Sequence, residues 1–336
     1  MIVISTHSQS VKNARPSPST RSLQTSQQVT NFTMTILMGL ILVVAVYFSV
    51  AKFQTNVPEY EATLKEVCRT SYLPRLQYKG VESFFEYLLN PDKSFCTSWV
   101  DFSKENKTVN RVRRDNHYGR YVCANPGDDG EGESCLVYYF TVVDNEQFKK
   151  DMDKLTCHVH EIVDKLKKEV EESEKWPRRH PWQISEISYD KVLPRGSVKH
   201  RRSLKDIVTS LGHVGRKVRF LRADLLGQEW TLLRQVVTNY NMINVRQISV
   251  GLHIPLSVNQ LTMEERKRYF EDLYKVFEGL ACLGYKHVRV EGIETDRSRL
   301  VVPEMDGATL PSFFEVYWVK AAPQTDGSND GHYVYY

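Results

Sequence analysis

No sign of charge dominates this chain. Its 336 residues carry 45 Lys and Arg against 41 Asp and Glu, a net charge of +4. With that balance, and no compact Arg/Lys platform interleaved with aromatics, nucleic acid is not an expected partner. No C-x-x-C occurs among the six cysteines, which speaks against structural zinc and thioredoxin-like chemistry. The one D-x-D in the region of alternating strands and helices, Asp151 to Asp153, falls inside an expected helix. Residues i and i+2 of a helix point apart, so a metal–nucleotide motif is not expected there. Charge is wholly missing from one long stretch, "TMTILMGLILVVAVYFSVA", Thr33 to Ala51.

That stretch is long enough to cross a bilayer as a helix. About thirty residues precede it, which suits a signal anchor better than a cleaved signal peptide. Lys12, Arg15 and Arg21 lie before it with no acid among them, whereas Glu59, Glu61 and Glu66 follow it. The positive-inside rule then puts the N-terminus in the cytosol and the rest in the secretory lumen or outside the cell. The expectation is a single-pass type II membrane protein. Cys68, Cys96, Cys123, Cys135, Cys157 and Cys282 all follow the span. Disulfides are permitted there, and six cysteines allow 15 pairings among which sequence does not choose. Asn106-Lys107-Thr108 is a glycosylation acceptor on the expected lumenal side. Arg111 to Arg114 has the R-x-x-R form cut by secretory convertases, and Lys199 to Arg202 is a looser version; both read as solvated loops without processing.

Residues 1–32 are rich in Ser, Thr, Gln and Asn and read as a disordered cytosolic tail. The anchor is 33–51, a stem and cysteine-bearing subregion is 52–134, the principal domain is 135–320, and a disordered tail is 321–336. Within the stem "VESFFEYLLN" reads as a short helix ended at Asn90-Pro91. From residue 136 strands and helices alternate: "CLVYYFTVV", then a helix opened by Asp144 and Gln147, then "CHVHEIV", a charged helix, and "WQISEISY". A helix opened at Ser203, "KVRFLRAD", "QEWTLLRQVVTNY", "VRQISVGLHI" and a helix opened by Thr262 follow. Two closing strands, "KHVRVEGIE" and "PSFFEVYWVK", have no strong helix between them. The pattern predicts an α/β, Rossmann-like sheet, mostly parallel, ending in a hairpin that adds an antiparallel strand. That is the order of the seven-stranded methyltransferase-type sheet, in which ligands sit beyond the carboxyl ends of the strands.

Several segments carry a resemblance. "YVC", "CLVYYF", "SLGHVGRKVRFLRADLLGQEW" and "RQISVGLHI" are similar to the membrane-anchored, S-adenosylmethionine-dependent methyltransferase-like domain family (relatives of methyltransferase-like protein 24). The similarity runs from about Cys96 to Lys320. The resemblance implies a Rossmann-type fold, S-adenosylmethionine as cofactor, and methyl transfer. It also implies cofactor contacts at Phe140 and Thr141 on the first strand. Glu161 or Asp164 would hold the ribose at the second. Asp224 and His253 are the catalytic candidates at the fourth and fifth.

The departures from the family pattern cluster in the same places. Thr141 and Val143 stand where the family has glycines, Val163 where it has the ribose acid, and Leu226 and Gly251 where it has Glu. Asp224 also reads as a cap on the next helix, and His253 as a hydrogen-bonded strand histidine. Glu229 and Trp230 read as helix-start residues. His158 and His160 could be half a metal site, but no second pair accompanies them and no metal is expected. Two further functions remain open on sequence: a methyltransferase-fold interaction module that has lost catalysis, and a lumenal group transferase using another donor.

Overall fold

The computed structural model describes residues 57–71, 75–101, 121–124, 135–142, 152, 157–163, 177–193, 196–293 and 299–321. The anchor segment Thr33–Ala51, the glycosylation acceptor Asn106, Arg114, Asp151, Asp153 and Asp164 lie outside these residues. No helix among the described residues is long and apolar enough to cross a membrane.

Two helices come first, α1 (Val57–Thr70) and α2 (Val81–Leu89). A short pair follows, β1 (Trp99–Asp101) and β2 (Tyr121–Cys123), then β3 (Leu136–Thr141), β4 (His158–Val163) and β5 (Arg178–His180). Next come β6 (Trp182–Ile184), β7 (Tyr189–Val192), β8 (Val198–Arg202) and α3 (Leu204–Ser210). The C-terminal half runs β9 (Lys217–Asp224), α4 (Glu229–Thr238), β10 (Asn244–His253), α5 (Met263–Cys282), β11 (Tyr285–Gly292), β12 (Arg299–Val302), β13 (Ala308–Pro311) and β14 (Phe313–Lys320).

The main sheet has seven strands in the order β11-β14-β10-β9-β3-β4-β5. Strand β14 is antiparallel to both neighbours, and the pairs from β10 to β5 are parallel. This is the α/β, methyltransferase-type arrangement expected from the sequence, with the last strand inserted between β10 and β11. Continuous apolar runs explain the centre: every residue of β3 is buried. Helix starts follow local chemistry. The Ser203 hydroxyl accepts from the Asp206 N–H, and Thr262 and Glu265 form a reciprocal capping box.

The structure departs from the sequence reading in four places. "WQISEISY" is not a strand of the main sheet. The sheet's edge is β5, and Trp182–Ile184 joins a separate three-stranded sheet, β6-β8-β7. Second, Lys199–Arg202 is no loop but lies in β8, paired on both sides, with Arg202 bonded to Asp190 at 2.6 Å. Third, a β12–β13 hairpin separates the two closing main-sheet strands. Fourth, α1 and α2, placed in the stem by sequence, share the sheet's core. Tyr60, Leu64, Phe84, Phe85 and Leu88 pack in one cluster with Phe277 and Trp318.

All six cysteines are paired: Cys68–Cys282, Cys96–Cys123 and Cys135–Cys157. The first ties α1 to the end of α5. The third joins the residues that precede β3 and β4, where the His158 N–H also donates to the Cys135 carbonyl at 2.7 Å.

Candidate active site at the ends of β9 and β10

Side chains of a strand alternate between faces, and register fixes which of them are neighbours. Tyr138 and Phe140 of β3 pack in the cluster that holds α3, α4 and α5. Val137 and Tyr139 turn to the opposite face. Thr141 follows Tyr139 on that opposite face and pairs with Asp224, and Arg222 pairs with Ser249. Asp224, two residues beyond Arg222, and His253, four beyond Ser249, therefore share this face at the strand ends.

The chain turns sharply after Asp224. Leu226 has φ 51° and Gly227 φ 106°. A left-handed conformation is free for glycine and costs leucine about 1–2 kcal/mol. The turn folds Glu229 back under the end of β9. Its carboxylate is fully buried and accepts two backbone hydrogen bonds, from Leu225 N–H to Oε1 at 2.7 Å and from Gly227 N–H to Oε2 at 2.6 Å. His253 Nδ1 lies 2.9 Å from Oε1 of the same carboxylate. A carboxylate only accepts here, so Nδ1 carries the proton and Nε2 is left to accept. The Trp230 indole donates to the His253 carbonyl at 3.1 Å and fixes the strand end.

Charge at this point is poorly solvated. Burial pushes the Asp224 carboxyl up, Arg222 pulls it down, and the charge of Glu229 pushes it further up. Burial works against the His253 cation, but its hydrogen bond to Glu229 and the charges of Glu229 and Asp224 outweigh that and raise its pKa. Asp224, Glu229 and His253 each offer a ligand atom, and these atoms lie within 4.8 Å of one another. Beside them opens a cleft of about 360 Å³ lined by Leu226, Trp230, His253, Pro255, Leu256 and Tyr269 among others. That volume is of the size that takes small molecules, and the walls are mainly apolar.

Both catalytic candidates from sequence, Asp224 and His253, are thus brought together. Glu229 was missed as a member of the site, since helix-dipole complementarity accounted for it. Its signal was the spacing D-x-x-G-x-E, in which a glycine turn returns the second acid to the first. The carboxylate that joins Asp224 at the mouth is Glu229, while Leu226 stands 66% exposed on the cleft rim.

The cofactor candidates are not assembled in the same way. Phe140 is fully buried on the opposite face, in the apolar core. Thr141 is fully buried between β4 and β9. Glu161 is also fully buried and is engaged by the Arg179 Nε at 2.8 Å. Val163, where an acid was sought, is buried as well. Among the described residues, the ends of β3 and β4 therefore do not fit the ribose of a nucleoside cofactor. At Gly251 the missing Glu is explained by packing: a Cβ there would meet the Phe313 ring at 2.8 Å.

His160 belongs to a different, neutral cluster. His160 Nδ1 lies 3.0 Å from His180 Nε2, and the Tyr138 hydroxyl lies 2.7 Å from His213 Nδ1. Burial lowers His160 to about 3 and His180 and His213 to about 4. These rings are uncharged packing and hydrogen-bonding groups at neutral pH.

A seven-stranded sheet with its last strand reversed is the arrangement of a methyltransferase-type domain. The family whose description is "Methyltransferase domain" matches residues 89–284, more than half of the chain, and the chain belongs to that family. No curated protein matches it.

Proposed function

We propose that this protein is a divergent methyltransferase, anchored in a membrane by Thr33–Ala51, with its domain in the secretory lumen or outside the cell. The observation that carries the reading is the Glu229–His253–Asp224 group at the mouth of the sheet, whose His253 lines an apolar cleft. Methyl transfer needs an acceptor atom held in line and stripped of its proton. His253, turned by Glu229 so that Nε2 can accept, is placed to take that proton from a ligand in the cleft. Asp224 and Glu229 stabilise the imidazolium that results. Leu226, Trp230 and Tyr269 exclude water and hold the apolar part of the acceptor.

Family membership and sheet order support S-adenosylmethionine as the donor, and bound, it would supply an electrophilic methyl group. The described residues do not supply its ribose contact, so the chemistry assigned to this chain is that of the acceptor side. Three disulfides within one domain support an oxidising compartment, and with it the type II orientation and glycosylation at Asn106. The 1–32 tail would then be cytosolic, and the membrane is the one partner the sequence assigns.

Calorimetric titration of the full-length chain with S-adenosylmethionine tests the reading. Saturable heat is expected. A folded chain that gives no heat at millimolar ligand would overturn it in favour of a non-catalytic module.

A further inference from the structure

We propose that Asp224, Glu229 and His253 form a binding site for a divalent metal cation. The three side chains converge from a strand end, a helix start and a second strand end, with ligand atoms within 4.8 Å of one another. They make a compact set of two carboxylates and one imidazole. Such a set suits Mn²⁺, Fe²⁺, Zn²⁺ or Mg²⁺ rather than a soft ion.

The Glu229–His253 spacing fits an ion, and Asp224, in a set whose ligand atoms lie within 4.8 Å of one another, would close on it. Two donors each about 2.1 Å from one cation and at right angles are about 3.0 Å apart. His253 Nδ1 and Glu229 Oε1 are 2.9 Å apart. A cation can take the place of the shared proton once the imidazole turns so that the Nδ1 lone pair points beside Oε1 rather than at it. Glu229 is already pinned by the Leu225 and Gly227 N–H groups, the outer hydrogen bonding that orients a ligating carboxylate. Around the set stand two carboxylates, one fully buried, one imidazole and the nearby Arg222 guanidinium, and a dication bound here would take the place of the imidazole proton.

The site also has an open side. The His253 side chain is 27% exposed, and it lines the cleft of about 360 Å³. Waters or an acceptor oxygen can complete the coordination from there, as in catalytic rather than structural metal sites. Cation binding does not depend on the methyltransferase reading. Its use does rest on that reading: a bound cation would hold and acidify an acceptor oxygen, taking over from His253 as the group that makes it nucleophilic.

The test is a Mn²⁺ titration of the full-length chain, stripped of metal with EDTA, followed by the loss of the free-ion EPR signal. One saturable site per chain is expected. Asp224→Asn and His253→Ala, which alter ligands themselves, should each weaken it by at least the roughly 10- to 100-fold lost when an outer-shell partner is removed. In the unsubstituted chain, Mn²⁺ should raise Tm and quench part of the tryptophan fluorescence, to which Trp230 beside the site contributes, and neither readout depends on any variant folding. No saturable uptake at millimolar Mn²⁺, an unchanged Tm, or equal uptake by both folded variants would overturn the site. S-adenosylmethionine calorimetry on the metal-free chain separates the two ideas. Cofactor binding without Mn²⁺ binding removes the metal site alone, and Mn²⁺ binding without cofactor binding removes the methyl-transfer reading alone.

Discussion

Glu229 does two jobs with one carboxylate: it closes the turn after β9 and it orients His253. Glu229→Ala strands two N–H groups, one of them in a fully buried pair. That should cost about 2–4 kcal/mol, read as a shift in urea midpoint. His253 gives the pair a pH signature. Its folded pKa is raised above the usual 6.5, so its contribution to stability is complete below pH 6.5 and fades as pH rises through the higher folded value. Four other histidines act oppositely. His160, His180, His213 and His287 are lowered to about 3–4, chiefly by burial. Their contribution is complete above pH 6.5 and is lost as pH falls towards 4. Thermal melts across this range should show both limbs, and His253→Ala should reduce the loss on the alkaline side, to which the buried Glu315 carboxyl, pushed up to about 7, also contributes. The pair was half legible: Asp224 and His253 stood out by type and position, but the role of Glu229 depends on a turn whose backbone angles no composition reveals.

At the scale of elements, β10 and β14 explain one departure from the family. Phe313 fills the space a side chain at residue 251 would need, 2.8 Å from an added Cβ, and its ring lies 4.2 Å from that of His253. Gly251→Ala should cost about 1–3 kcal/mol by overpacking. Adding Phe313→Leu should recover part of that loss, a non-additivity that a double-mutant cycle on thermal melts would measure. The long helices and inner strands were legible because caps and apolar runs act locally: Ser203 and Thr262 open α3 and α5 as read. The edge strand β5 was not. "RRH" is three residues long and polar, and it becomes a strand only because β4 lies beside it.

For the molecule as a whole, the N-terminal helices are part of the fold rather than a stalk. Phe84 packs against Phe270, with ring centroids 4.8 Å apart, and against Phe277, at 5.2 Å. Cys68–Cys282 closes a loop spanning 214 residues, for which chain entropy alone predicts stabilisation on the order of 5 kcal/mol. Paired Cys68→Ser and Cys282→Ser substitutions should lower Tm sharply under non-reducing conditions. The cysteines were visible in sequence, but their partners were not: Cys68 pairs 214 residues away, whereas Cys96–Cys123 and Cys135–Cys157 join cysteines 27 and 22 residues apart. The sheet order was legible from alternation, and membership of the methyltransferase domain family agrees with it.

The central claim is that ligand chemistry has its centre at the ends of β9 and β10. Hydrogen–deuterium exchange of the full-length chain, with and without S-adenosylmethionine, tests it most directly. Protection is expected in peptides spanning Leu221–Trp230 and Val250–Leu256, and little change in the β7–β8 hairpin. A folded chain with no protection in either peptide, or with protection only elsewhere, would contradict it.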